Sequence, residues 1–199
     1  MPTLHARDPL SPAFWDERFA HGITPWERGA VPQALRAFAL AHPGRRCLIP
    51  GCGAGRELAF LSQAGWDALA IDFSHQAAAA ARGAAGPWAA RVEQADFFQF
   101  APSAPFDTVY ERAFLCAMPP AIWSRVAARW AALLAPGALL IGYFLLDHTP
   151  RGPPYGIERA ALEALLCPAF ICLTDQDVRD SIPVFAGRER WMVWRRLAD

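Results

Sequence analysis

One stretch of the chain has residue types suited to holding the charged end of a ligand: Pro50-Gly51-Cys52-Gly53-Ala54-Gly55-Arg56-Glu57. Glycines allow a tight turn and let a ligand lie against bare backbone. A helix opening directly behind them offers free N–H groups and the positive end of its dipole, which favour a carboxylate or a phosphate. A glycine-rich loop without a ligand has the same composition, so spacing must separate the classes. The dinucleotide fingerprint is GxGxxG; here Gly51, Gly53 and Gly55 give GxGxG, and Arg56 holds the sixth position. Asp72 follows at the end of an apolar run. A carboxylate there can accept hydrogen bonds from both hydroxyls of a ribose, and it disfavours a 2′-phosphate. The competing role is a helix N-cap, for which Ser74 is better placed. Asp96-Phe97 forms a third point, suited to an adenine amino group with a ring beside it, or equally to a turn aspartate before a core phenylalanine.

These positions need a scaffold that brings strand ends together. Ser11–Ala20 reads as a short helix with Pro12 in its first turn, and Val31–Ala41 as a second, ended by Pro43-Gly44. From there, short apolar runs alternate with helical patterns. Strands are expected at 46–49, 67–71, 91–95, 106–110, 138–146, 170–175 and 190–196, and helices at 55–64, 74–82, 119–134 and 158–166. Such alternation implies an α/β, Rossmann-like three-layer sandwich with a mainly parallel seven-stranded sheet. No helical pattern separates the last two strands, so they should pair antiparallel. The exposed end of the last strand would be one place for a second copy to pair. Ligands of these sheets bind at the carboxyl ends of strands, which Pro50, Asp72, Asp96 and Glu111 mark. One domain over 1–199 is expected, with 1–42 as an N-terminal helical cap.

Composition narrows the function classes. The 199 residues are 54% hydrophobic and 19% charged, enough to bury a core. Nineteen basic residues balance nineteen acidic ones, which argues against nucleic acid as a partner. All nineteen basic residues are arginine, so neither Schiff-base lysine chemistry nor a P-loop is available. The five cysteines include no CxxC pair; reduced thiols in a cytoplasm are expected, and no metal site. There is no signal-peptide core, and no run approaches the ~18–20 apolar residues of a membrane span.

Four stretches carry a resemblance that covers nearly the whole chain. They are Phe14-Trp15-Asp16-Glu17-Arg18-Phe19 with Gly22-Ile23-Thr24-Pro25-Trp26; Leu48-Ile49-Pro50-Gly51-Cys52-Gly53; Phe106-Asp107 through Phe114-Leu115-Cys116-Ala117-Met118; and Asp147-His148 with Gly152-Pro153-Pro154-Tyr155. In these the chain resembles the thiopurine S-methyltransferase family in its broad sense, closest in motifs to the halide and thiol methyltransferases. GxGxG is also the spacing of Rossmann-like methyltransferases. The resemblance implies S-adenosylmethionine as cofactor and aromatic closure over it by Trp15, Phe19 and Trp26, with Phe19 standing where the plant enzymes usually have tryptophan. Aromatic faces attract a sulfonium cation; by spacing alone, the three would be ordinary core aromatics. Cofactor contacts are expected from Gly51, Gly53, Gly55, Asp72, Asp96, Phe97 and Arg112. Arg112 either borders the cofactor or pairs with Glu111 or Asp107. Tyr155 and Arg112 are candidates for positioning the acceptor rather than for acid–base work, and Asp147-His148 reads as loop structure.

The implied reaction is methyl transfer to a small soft nucleophile: a thiol, thiocyanate, halide or related chalcogen compound. In-line displacement depends on alignment, and such nucleophiles need little general base, which suits a chain without an evident triad. Two other readings stay open at this level: a non-catalytic S-adenosylmethionine-binding protein, and a nucleotide-dependent oxidoreductase on a similar sheet.

Overall fold

Apolar residues at every second position, with both parities apolar, make strands that bury both faces. The computed structural model describes residues 4–27, 29–149 and 151–198. The elements run α1 (Pro12–Ala20), α2 (Gln33–Ala41), β1 (Arg46–Pro50), α3 (Arg56–Gln63), β2 (Asp67–Asp72), α4 (His75–Ala85), β3 (Val92–Gln94), β4 (Phe106–Arg112), α5 (Trp123–Leu133), β5 (Leu134–Leu145), α6 (Arg159–Leu166), β6 (Phe170–Asp177) and β7 (Glu189–Arg196). The sheet order is β3-β2-β1-β4-β5-β7-β6. Strands β3 through β5 pair in parallel, and β7 is antiparallel to both β5 and β6.

Two cores follow from the alternation. Leu48, Val109, Leu140, Phe144, Met192 and Trp194 face one way and pack with Val126 and Trp130 of α5 and Leu162 and Leu166 of α6. Cys47, Ile49, Tyr110, Ile141, Tyr143, Trp191 and Val193 face the other and pack with Leu35 and Ala39 of α2, Leu58 and Leu61 of α3, and the alanines of α4. Small alanines let α4 lie close: Gly55 at the start of α3 faces Ala81, and a Cβ on Gly55 would come within 2.7 Å of the Ala81 Cβ.

Several expectations shift. Residues 120–122 form a 3₁₀ turn, so α5 begins at Trp123 rather than Pro119. Pro32 has an extended ψ of 148° and serves as N-cap, which starts α2 at Gln33 rather than Val31. Strand β5 begins directly after α5, and Pro136-Gly137 lies in the irregular stretch between the Phe106–Leu134 and Thr108–Leu139 pairings. The last strand is not an edge. It is inserted between β5 and β6, so its backbone is paired on both sides, and the edge strand on that side of the sheet is β6. Among the described residues, no helix is long and apolar enough to cross a membrane.

Candidate functional site

The carboxyl ends of β1, β2 and β4, with the segment after β3, open into one cavity of about 320 Å³. The turn after β1 holds Gly51, Gly53 and Gly55 at φ of +56°, +51° and +65°, a region where L side chains are strained. Gly51 and Gly53 line the cavity. A Cβ on Gly51 would overlap the Phe114 ring, and one on Gly53 would overlap the Glu27 carboxylate. Gly55 does not reach the cavity; its bare Cα is used against α4.

The loop's amides are not waiting for a ligand. Cys52 N–H donates to the Ile71 carbonyl (3.1 Å) and Gly55 N–H to the Cys52 carbonyl (2.8 Å). Gly53 N–H donates to Asp72 Oδ2 (3.1 Å), and Ala54 N–H to Glu27 Oε1 (3.0 Å). In the turn that leads into α3, the amide of Ala54, which sequence reasoning offered to a ligand's carboxylate, is therefore already met by the protein's own Glu27. Nothing local in the sequence announces this, because Glu27 lies 27 residues before Ala54. Burial raises the Glu27 carboxyl above its usual range, while the Ala54 amide pulls the other way.

Asp72 ends β2 and faces the cavity. Besides Gly53, it accepts from Ser74 N–H (2.9 Å). Burial pushes its carboxyl up to about 6 against those two bonds. Ser74 is the actual N-cap of α4, accepting from Ala77 N–H at 3.0 Å. Asp96 is exposed at the cavity rim and accepts from Phe98 N–H (2.7 Å). Phe97 is buried beside it, edge-on to Phe98 and to Phe114, and all three rings line the cavity.

Helix α1 lies across the N-terminus of α4. Asp16 Oδ1 accepts from Ser74 Oγ (2.7 Å) and Gln76 N–H (3.0 Å), capping α4 from outside. That fixes α1 with Phe14 buried, while Trp15 and Phe19 are half-buried along the cavity. Trp26 meets Trp15 edge-on at 5.4 Å between centroids, and Phe19 at 6.2 Å. Core burial is thus the role of Phe14, and the three motif aromatics form a wall. Helix α2 belongs to the core, so among the described residues of 1–42 those along the cavity are Leu10 and residues of α1 and of the turn through Glu27.

Arg112 also lines the cavity, with its side chain nine-tenths buried. Its partners are neither Glu111 nor Asp107. The guanidinium is 3.6 Å from Glu57 Oε1 and 4.0 Å from Glu189 Oε1, and lies 5.5 Å from the Tyr143 ring centroid. Alternation along β4 sends Glu111 the other way, where its Oε1 accepts from Phe114 (3.1 Å) and Leu115 (2.9 Å) N–H. Asp107 instead accepts from Arg46 N–H. Tyr155 does not reach the cavity: its N–H donates to the Cys116 carbonyl (2.7 Å), and its side of the loop borders a separate void of about 10 Å³. Pro153 and Pro154 of the same segment do line the cavity. His148 is exposed, 3.0 Å from Glu158.

Glu111 carries a testable pH signature. Burial pushes its carboxyl up to about 8, and its Oε2 has no partner among the described residues. The folded protein therefore holds a proton that the unfolded chain, near the ordinary 4.5, releases. This contribution to stability is whole below about pH 4.5 and is lost as pH rises through about 8. Asp72 acts in the same direction, but only between 3.8 and about 6. Glu111→Gln keeps an acceptor for both amides and is expected to flatten the decline between pH 6 and 8 in urea titrations. An unchanged slope would assign it to another group.

The cavity's charge separates ligand classes. Among the described lining residues, Glu27, Glu57, Asp72 and Asp96 face Arg112 and Arg125. An excess of carboxylates with aromatic walls suits a cation better than a diphosphate. Residues 10–197 match the family described as Thiopurine S-methyltransferase (TPMT).

The chain belongs to that family.

It is an S-adenosylmethionine-dependent methyltransferase. Thiocyanate methyltransferase 1 of Arabidopsis thaliana is 29% identical over 192 residues, covering 92% of this chain and 84% of that protein. Thiopurine S-methyltransferase of Vibrio atlanticus is 25% identical over 191 residues, covering 85% and 88%. Among solved structures, the fold matches 1,6-didemethyltoxoflavin-N1-methyltransferase of Burkholderia thailandensis, bound to 1,6-didemethyltoxoflavin and S-adenosylhomocysteine. That match has a TM-score of 0.77 and 20% identity, and covers 97% of this chain and 94% of that one. Magnesium protoporphyrin IX methyltransferase of Synechocystis, with bound S-adenosylmethionine, matches at TM-score 0.73 and 20% identity, covering 98% and 100%. Family membership and the cavity's acid excess agree on a cationic cofactor.

Proposed function

We propose that this family member methylates a small soft nucleophile: a thiol, thiocyanate, a halide or a related chalcogen compound. The observation that carries this is the cavity itself, acidic towards β2 and apolar beyond β4. Trp26, Cys116, Val184 and Phe185 form that apolar end. Burial drives the Cys116 thiol well above its usual value, so it stays neutral and provides no base. An acceptor that arrives already nucleophilic, as thiolates and halides do, needs none. The relatives named for thiocyanate and thiopurine methylation support the same reading.

S-adenosylmethionine supplies a methyl group on a sulfonium, open to in-line displacement. The chain's residues bind and align. Asp72 accepts from the ribose hydroxyls, and Asp96 from the adenine amino group, with Phe97 beside the ring. Gly51 and Gly53 keep the floor free of side chains. Trp15, Phe19 and Trp26 turn aromatic surface towards the positive charge and exclude water. Arg112, held by Glu57, meets the carboxylate of the methionyl tail. Tyr155 acts at one remove, by tying Pro153-Pro154 to Cys116. Positioning of this kind supplies much of the rate in a displacement that needs no proton transfer. The chain works as one domain, with its N-terminal segment as the cap. A cytoplasmic setting is supported by five unpaired thiols, two of them exposed.

The test is calorimetric titration with S-adenosylhomocysteine beside NAD, followed by methylation assays on thiols, thiocyanate and iodide. Micromolar binding of S-adenosylhomocysteine alone, with turnover of at least one acceptor, is expected. Binding without turnover of any of them would remove the acceptor assignment.

A further inference from the structure

We propose that Glu27 receives the α-ammonium group of the cofactor's methionyl tail, so that the protein selects nucleosides carrying a cationic amino-acid end. The inference rests on the cofactor reading above and adds a residue to it.

Three observations converge on Glu27. Its carboxylate reaches the cavity over the glycine loop, where a Cβ on Gly53 would overlap it. Its bond from Ala54 N–H occupies one of about four lone-pair sites on a carboxylate, leaving acceptor capacity for a ligand. The amides of residues 52–55 are each bonded within the protein, so the turn itself offers a ligand's carboxylate no free donor. A second carboxylate would meet Glu27 as a like charge, whereas an ammonium would find an acceptor.

Arg112, which lines the same cavity, presents the opposite charge. It is nine-tenths buried, and its Nε lies 4.0 Å from Glu189 Oε1, too long for a hydrogen bond. Glu57 holds it from one side at 3.6 Å. A carboxylate at Glu27 and a guanidinium at Arg112, both lining the cavity, match the opposite charges of an α-amino acid zwitterion. Reversed, the tail would place like charges together at both points, which disfavours that orientation. The glycine at 53 has a reason of its own here: any side chain would displace the Glu27 carboxylate.

The experiment compares two probes by calorimetry on wild type and Glu27→Gln. S-adenosylhomocysteine carries the amino-acid tail; 5′-methylthioadenosine has the same nucleoside and sulfur without it. Gln keeps an acceptor for Ala54 N–H, so the loop is retained, and thermal melting checks this. Glu27→Asp, which keeps the charge one methylene back, serves as the second variant. The expected result is a loss of tenfold or more for S-adenosylhomocysteine in Glu27→Gln, with 5′-methylthioadenosine changed less than twofold and Glu27→Asp in between. Equal weakening of both probes would overturn the proposal and make Glu27 a prop for the loop. An unchanged S-adenosylhomocysteine affinity would also overturn it. Failure of wild type to bind S-adenosylhomocysteine is a different outcome, because it removes the cofactor reading itself.

Discussion

Replacing Gly142 with alanine is expected to destabilise the protein by about 3 kcal/mol or more, the upper range for overpacking a closed site. Gly142 pairs with Glu111 where β4 meets β5. A Cβ there would overlap the Glu111 carbonyl oxygen and crowd its carbonyl carbon and Cα. The neighbour is backbone, so no rotamer change relieves it. The strands would have to part at the residue that holds the Phe114 and Leu115 amides and directly precedes Arg112. Gly65→Ala is the comparison. Gly65 has φ of +84° and open space around the added carbon, so it should cost only the left-handed backbone penalty, about 1–2 kcal/mol. Urea denaturation of the two variants separates the effects. Similar losses would mean that the strands adjust freely and the close approach is unimportant.

The second large effect is expected on binding. Asp72→Ala should weaken S-adenosylhomocysteine by roughly 1–3 kcal/mol, the range for losing charge-assisted hydrogen bonds. Asp72 also takes the amides of Gly53 and Ser74, so alanine leaves both without a partner. Asp72→Asn separates the roles, since its one carbonyl oxygen can satisfy only part of the set. Wild-type affinity should also fall as pH drops through about 6, where the Asp72 carboxyl gains its proton and loses acceptor capacity. Unchanged affinity in Asp72→Ala, measured by calorimetry on folded protein, would remove the ribose assignment.

The backbone of the fold could be read from residue order because its signals are local. Both parities of residues 47–49, 109–110, 139–144 and 191–194 are apolar, and that pattern reports burial on two faces whatever the helices do. Asp72 was recognisable because it follows an apolar run, where a strand end must be; Asp96 lies two residues past the end of β3, a strand of only three residues with one apolar position. The aromatic wall was recognisable only through resemblance. Periodicity alone cannot distinguish Phe14, which is core, from Trp15, which faces the cavity.

The misplacements share a cause. Tyr155 stands in a segment that does border the cavity, yet Pro153 and Pro154 provide the lining while Tyr155 turns to Cys116. Arg112 was given acidic neighbours in sequence, but strand alternation puts Glu111 on the opposite side and leaves Glu57 and Glu189 as partners. Gly55 fits the motif by spacing, but its freedom serves helix packing.

What the residue order determined by itself was the layered architecture, the GxGxG turn and the acids at the strand ends, since each depends on neighbours within a few residues. What the tertiary structure alone decided was which groups meet across the turn. The amide of Ala54 could have gone to a ligand, to water or to any acid in the chain. It goes to Glu27 because Asp16 docks α1 on α4 and the following turn carries Glu27 over the loop. Hydrogen-bond partnership between distant segments depends on where packing brings them, and local patterns do not encode it. That single pairing places a carboxylate over the glycine loop.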